Sequence, residues 1–168
     1  MQRRSFDDFS CSVAQTLEVI GEWWTPLIVR DLFLGVTRFD DFQSRLGIAR
    51  NVLTTRLNHL VEHGVVEKVA YQERPVRYDY RLTEQGRDLW LVMTALREWG
   101  DRWAAPDGPP IEVVHKDCGH VTHVVPHCSE CGEVLEPHRV RAQIGPGMPE
   151  GTVLPERRSP RPLPAPTT

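Results

Sequence analysis

No aromatic residue follows Trp103 in this chain of 168 residues, and twelve of its 14 prolines lie beyond that point. A proline-rich stretch without aromatics buries too little apolar surface to order itself through a core of its own. All five Trp and only two Pro, Pro26 and Pro75, fall within residues 1–104. The globular domain is therefore placed at 5–104 and a linker at 105–110. Three of the four Cys and five of the seven His lie between His115 and His138. That concentration sets off a second, small module at 111–141. Residues 142–168 carry seven Pro in 27 positions and read as a disordered tail. No run of 18 apolar residues exists, and the first residues lack the apolar stretch of a secretory signal. A cytoplasmic chain with no membrane partner is expected.

Within 5–104 the apolar spacing is mostly helical. Ser12 and Gln15 have capping-box spacing, and Val13, Leu17 and Ile20 share one face. Thr25-Pro26 marks a second helix start, Pro being tolerated at the first helical position. Thr37 is placed to cap a third helix at 38–46, ended by Gly47, and a fourth follows at 49–63, ended by Gly64. Val65–Tyr71 and Val76–Leu82 are rich in β-branched and aromatic residues, and a polar turn at 72–75 separates them, which predicts a β-hairpin. Thr83 opens a last helix at 84–103, with Leu89, Val92, Met93, Leu96, Trp99 and Trp103 at intervals of three and four. Helices, then a hairpin, then a helix is the order of a winged helix-turn-helix: a mainly α fold with a β-hairpin wing.

Helix 49–63 divides cleanly. Leu53, Leu57, Leu60 and Val61 form an apolar stripe, and Asn51, Thr55, Asn58 and Glu62 lie opposite, with Thr54 and His59 at the edges. A recognition helix needs this division, because one face anchors it while the other presents short polar groups to base edges. Asn pairs bidentately with adenine, and Thr offers a hydroxyl or a methyl. Arg50 and Arg56 flank the polar face and suit phosphate, as do Arg74 and Arg77 at the hairpin tip. Residues 45–81 hold seven Lys/Arg against four Asp/Glu, so the net charge of −3 averages over a locally basic segment. The expected partner is a double-stranded DNA operator, with 49–63 in the major groove and the wing at 72–77 on the backbone or minor groove. Either element alone is an ordinary amphipathic helix or a solvated hairpin; the order of elements carries the reading.

The stretch Cys11-Ser-Val-Ala-Gln-Thr-Leu-Glu-Val-Ile-Gly-Glu-Trp-Trp-Thr-Pro-Leu-Ile-Val-Arg-Asp-Leu resembles the opening of HxlR-type transcriptional regulators, which are MarR-like winged helix-turn-helix proteins. The likeness continues through Arg38-Phe-Asp-Asp-Phe, Val52-Leu-Thr-Thr-Arg-Leu-Asn-His-Leu and Arg77-Tyr-Asp-Tyr-Arg-Leu-Thr-Glu-Gln-Gly. It implies a homodimer joined through the N-terminal helix and helix 84–103, with Trp99 and Trp103 either at that interface or in the chain's own core. A two-fold dimer sets its recognition helices about 34–36 Å apart on a pseudo-palindrome. The resemblance also raises oxidant or electrophile sensing at Cys11. A helix N-terminus favours a reactive thiolate, whereas Asp7 and Asp8 oppose it and Ser12 replaces the usual Pro. A packed or inert thiol is the plainer alternative. The effector is left open.

In the second module, His115-Lys-Asp-Cys118-Gly119 and Cys128-Ser-Glu-Cys131-Gly132 each place two ligand-type residues around one turn, followed by Gly. That spacing brings two ligands to one tetrahedral ion, and the module resembles a short zinc ribbon with His115 in place of its first Cys. The expected cofactor is a structural Zn²⁺ held by His115, Cys118, Cys128 and Cys131, with His120, His123 and His127 as alternatives for the histidine. Nine aliphatic residues across 111–141 are too few to fold it without a staple. A metal-free degenerate ribbon and a Cys128–Cys131 disulfide are competing readings. No phosphate-binding loop, metalloprotease helix or nucleophile elbow is present, so no enzyme is expected. The main alternative function is a protein-interaction module on the same scaffold; a zinc enzyme in the C-terminal module is a third.

Overall fold

The computed structural model describes Ser5, Phe6 and residues 8–155. Its contacts divide the chain into two units, Met1–Pro126 and His127–Thr168. The first unit holds α1 (Ser12–Ile20), α2 (Trp24–Phe33), α3 (Phe39–Leu46), α4 (Arg50–Glu62), β1 (Val66–Glu73), β2 (Val76–Leu82) and α5 (Glu84–Trp103). This is the winged helix-turn-helix order expected from the sequence.

The core of this unit draws Ile28, Val29 and Leu32 from α2, Phe42 from α3, and Leu53, Leu57 and Leu60 from α4. Ile48, Val65, Val66 and Tyr80 close it. Each side chain of this size contributes roughly 1.5–3 kcal/mol when buried. Phe42 meets Tyr80 edge to face at 6.5 Å, which ties α3 to the wing. Asp31 of α2 is fully buried, and both of its oxygens are used. Arg30 donates to Oδ1 at 2.8 and 3.0 Å, and Arg45 of α3 donates to Oδ2 at 3.1 Å. A buried carboxylate persists only with such partners.

Several local features differ from the expected ones. The capping box does not form, since Ser12 is already inside α1, Cys11 takes the cap position, and the Gln15 amide donates to the carbonyls of Phe6 and Phe9. Thr37 does not cap α3. Its hydroxyl donates to Asp79 and its carbonyl accepts from the Tyr80 N–H at 2.8 Å, so the chain before α3 lies along β2. A single bridge, Arg38 with Asp79, results. β1 extends to Glu73, two residues past the expected end, because ladder bonding uses the backbone of Gln72 and Glu73 whatever their side chains.

The wing joins α5 through a compact knot. Thr83 caps α5 by accepting from the Gly86 N–H at 3.1 Å, donates its hydroxyl to the Gly64 carbonyl at 2.6 Å, and bonds its own N–H to the Val65 carbonyl. Gly86 is buried there, and a Cβ on it would stand 2.1 Å from the Val65 oxygen. α5 also holds the chain that follows it. Arg97 donates to the Ile111 carbonyl at 3.1 Å, and Glu98 accepts from the Val124 N–H at 2.7 Å. Residues 111–126, grouped by composition with the Cys/His module, therefore belong by contact to the winged unit.

Residues 105–155 contain no buried side chain. This region forms two turns, each closed by one bridge, Val114 with Val121 and His127 with Val134. Of the tail expected at 142–168, residues 156–168 lie outside the described residues. Among the described residues no helix is long and apolar enough to cross a membrane.

The Gly86 contact gives a test of opposite sign to helix propensity. Ala is better than Gly inside an exposed helix by about 1 kcal/mol. Gly86→Ala is expected instead to destabilise the protein by roughly 1–3 kcal/mol in urea unfolding, because the added methyl overlaps backbone.

Candidate nucleic-acid interface

α4 is held by Leu53, Leu57 and Leu60, all fully buried, so its opposite face turns outward. Arg50, Asn51, Thr54 and Thr55 are exposed there. The Thr54 and Thr55 hydroxyls donate to the carbonyls of Arg50 and Asn51 at 2.8 and 2.9 Å. With their protons engaged, they offer acceptor lone pairs and a methyl to an approaching base. Asn58 is half-buried, and its Oδ1 accepts from Lys68 of β1 at 2.7 Å. Arg50 stacks over the Phe39 ring at 4.9 Å and lies 3.9 Å from Asp40.

Arg56 stands apart from this group. Its side chain is three-quarters buried and lies 3.3 Å from Glu22, in the turn between α1 and α2. The sequence carries a sign of this, since Arg56 precedes Leu57 and falls on the shoulder of the apolar stripe.

The wing brings Arg74 and Arg77 to the surface near the β1–β2 turn. Arg38, not singled out from the sequence, joins this side. It stacks over the Tyr71 ring at 4.8 Å and lies 3.9 Å from Asp79. A groove of about 600 Å³ between the start of α3 and the wing is lined by Arg38, Asp40, Arg50, Tyr71, Arg77 and Tyr78. Arg38 and Lys68 escaped sequence reasoning because neither stands on a recognisable helix face; strand pairing alone brings them here. Behind the groove, burial raises the Tyr80 hydroxyl above its ordinary range, with Tyr78 adding to the effect.

Away from this face, α5 exposes Val92, Leu96, Trp99 and Trp103 along one seam, both tryptophans 65% exposed. They are therefore not core of their own chain. α1 exposes Val13 and Leu17. Cys11 is exposed at the N-terminal end of α1.

In the winged unit, the turn after Val114 brings His115 Nδ1 to 3.3 Å from Cys118 Sγ. In the second unit, Cys128 and Cys131 share a turn, and the N–H groups of Cys131 and Glu130 directed at the Cys128 sulfur hold its thiol below the usual range. His115 Nε2 lies 3.6 Å from Asp117, His123 Nδ1 lies 4.0 Å from Glu98, and His127 Nδ1 lies 2.8 Å from the Gly132 carbonyl. Among the described residues no three His, Cys, Asp or Glu side chains stand together as a metal-holding group.

Residues 19–108 match the HxlR-like helix-turn-helix family. The chain is 45% identical over 139 residues to Rv3095 of Mycobacterium tuberculosis, named an uncharacterized HTH-type transcriptional regulator, with 81% of this chain and 87% of that protein covered. A match of that extent runs past residue 108 and across both Cys/His turns. The crystal structure of PA1607, described as a candidate transcription factor, superposes with a TM-score of 0.75 at 40% identity, covering 83% of this chain and 99% of that one. The redox regulator HypR in its reduced form gives a TM-score of 0.52 at 32% identity, over 55% of this chain and 92% of HypR. From the end of α1 through α5, where the apolar stripe of α4 sets the polar face beside the wing, the chain belongs to the HxlR-like helix-turn-helix family.

Proposed function

We propose that this transcriptional regulator binds duplex DNA as a homodimer, with the N-terminal half of α4 in the major groove and the wing on the adjacent backbone or minor groove. The observation that carries the reading is the exposure of Asn51, Thr54 and Thr55 on a helix whose other face is wholly buried, beside a wing bearing Arg74 and Arg77. Short polar side chains read base edges, whereas the arginines add affinity without sequence preference. Arg38 and Arg50, both exposed on the same side, extend the phosphate-binding set.

The seam of Val92, Leu96, Trp99 and Trp103 supports dimerisation through α5 and α1. Its three–four spacing is that of a helix packing along a partner helix, and large exposed aromatics are typical interface anchors. A second reading concerns regulation: an exposed Cys11 at the start of α1, together with the likeness to a redox regulator, supports an oxidant-responsive thiol there.

Three measurements test these readings. On an operator selected from random duplexes, Asn51→Ala or Thr55→Ala is expected to cost about 1–3 kcal/mol with little change on non-specific DNA. Arg77→Ala weakens both and lowers the salt slope by roughly one; equal losses for all three variants would rule out the groove assignment. Trp99→Glu is expected to weaken self-association by about 2 kcal/mol or more, giving monomers in sedimentation, and a dimer unchanged by it would place the interface elsewhere. Diamide is expected to alter operator binding by the native protein and not by Cys11→Ser; an unchanged response in the variant removes Cys11 as the sensor.

A further inference from the structure

Within the winged unit, α2, α5 and the chain that follows α5 enclose a cavity of about 420 Å³. Leu27 and Leu34 line it from α2 and its C-cap, Met93 from α5, and Ile111 and Val113 from the segment beyond. Leu34 and Ile111 remain about half exposed. Apolar surface left open in a concave site of this size is the ordinary composition of a small-molecule pocket. Polar bonds hold the walls. Arg97 donates to the Ile111 carbonyl at 3.1 Å and to Asp101 at 3.2 Å, and Glu98 accepts from the Val124 N–H at 2.7 Å. The segment facing α2 is thus fixed in advance, and a preformed site binds without having to order a loop.

The charged residues of the lining are Arg30, Arg97 and Asp101. Arg97 and Asp101 answer each other. Arg30 gives Nε and Nη2 to Asp31 Oδ1, which leaves its Nη1 without a protein partner among the described residues. Arg45 also bonds Asp31, so two guanidiniums serve one carboxylate and one positive charge is in surplus. The Arg30 side chain is 44% exposed, and a pinned guanidinium with a spare terminal nitrogen matches an incoming carboxylate.

We propose that this cavity binds a small hydrophobic monocarboxylate, its apolar body against Leu27, Met93, Ile111 and Val113 and its carboxylate on Arg30. The surplus charge selects the acid over a neutral hydrophobe. Leu96 borders both the cavity and the exposed seam of α5, which makes a second copy of this chain the competing occupant. An apolar seam from another copy covers the leucines but leaves the surplus charge of Arg30 unanswered, and charge complementarity therefore favours the acid. The site stands apart from the recognition surface and is tested without DNA.

The full-length chain is to be titrated by calorimetry with 2-naphthoate, and with 2-naphthamide as the uncharged analogue. One saturable site per chain is expected for the acid, with the amide binding about tenfold more weakly or worse. Methyl-labelled methionine locates the site in the native protein without any substitution. The chain has three Met, and the naphthyl ring is expected to shift the NMR signal of Met93 ahead of the other two. Leu27→Phe, which fills the cavity, is expected to weaken binding about tenfold or more, with circular dichroism checking that the helices persist. No saturable binding of the acid, equal affinity for the amide, an unmoved Met93 signal, or full affinity in Leu27→Phe would overturn the proposal. A cavity filled by a second copy gives the first of these results, together with monomers for Leu27→Phe in sedimentation.

Discussion

The burial of Leu53, Leu57 and Leu60 is the constraint from which the winged unit follows. These three side chains have no exposed surface, and the residues that enclose them come from α2, α3 and the start of the wing. Fixing one face of α4 fixes the azimuth of the other, so the outward placement of Asn51 and Thr55 is a consequence of hydrophobic packing rather than of any polar interaction. Polar bonds then refine what burial sets. Asp31 with Arg30 and Arg45 holds α2 to α3, and Arg56 with Glu22 holds the middle of α4 to the turn that precedes α2. An arginine that looks available for phosphate in the sequence is thereby committed to the scaffold.

Much of this was legible in the sequence because the signals are local. The apolar stripe of α4, the Gly residues ending α3 and α4, and the Thr83 cap all act within a few residues of their own position, and the structure places them as read. The features that were not legible depend on partners far along the chain. Thr37 looked like a cap and instead pairs with Asp79, 42 positions away. Arg38 joins the wing through a one-residue bridge that has no periodicity to detect. The Trp99 and Trp103 spacing fits a buried helix face and an interface equally well; only the surrounding packing shows them 65% exposed. Within the Cys/His region the glycine positions were readable, and the structure shows two turns there, each closed by a single bridge.

The chain thus combines two ways of stabilising a fold. Up to Trp103, order follows from aromatic and aliphatic burial, with hydrogen bonds and ion pairs arranged around it. Beyond that point the turns are defined by backbone bonds and glycine conformation, with every side chain among the described residues at least partly open to solvent. The composition break at the last aromatic residue marks this change in physical basis. It does not coincide with the contact boundary, since Arg97 and Glu98 grip backbone groups at Ile111 and Val124. A helix that ends the apolar core also fastens the start of the polar region, and it uses charged side chains to do so.

The Thr83 knot has a mechanical meaning. Three backbone and hydroxyl bonds and a glycine with no room for a methyl join the end of α4, the exit of β2 and the start of α5. No slack residue lies between them. α5 is 20 residues long, about 30 Å at the usual rise, and Leu89 and Met93 pack it against the core beyond its first turn. A displacement at the start of α5 therefore cannot be absorbed at Thr83, and the exit of β2 has to move with it.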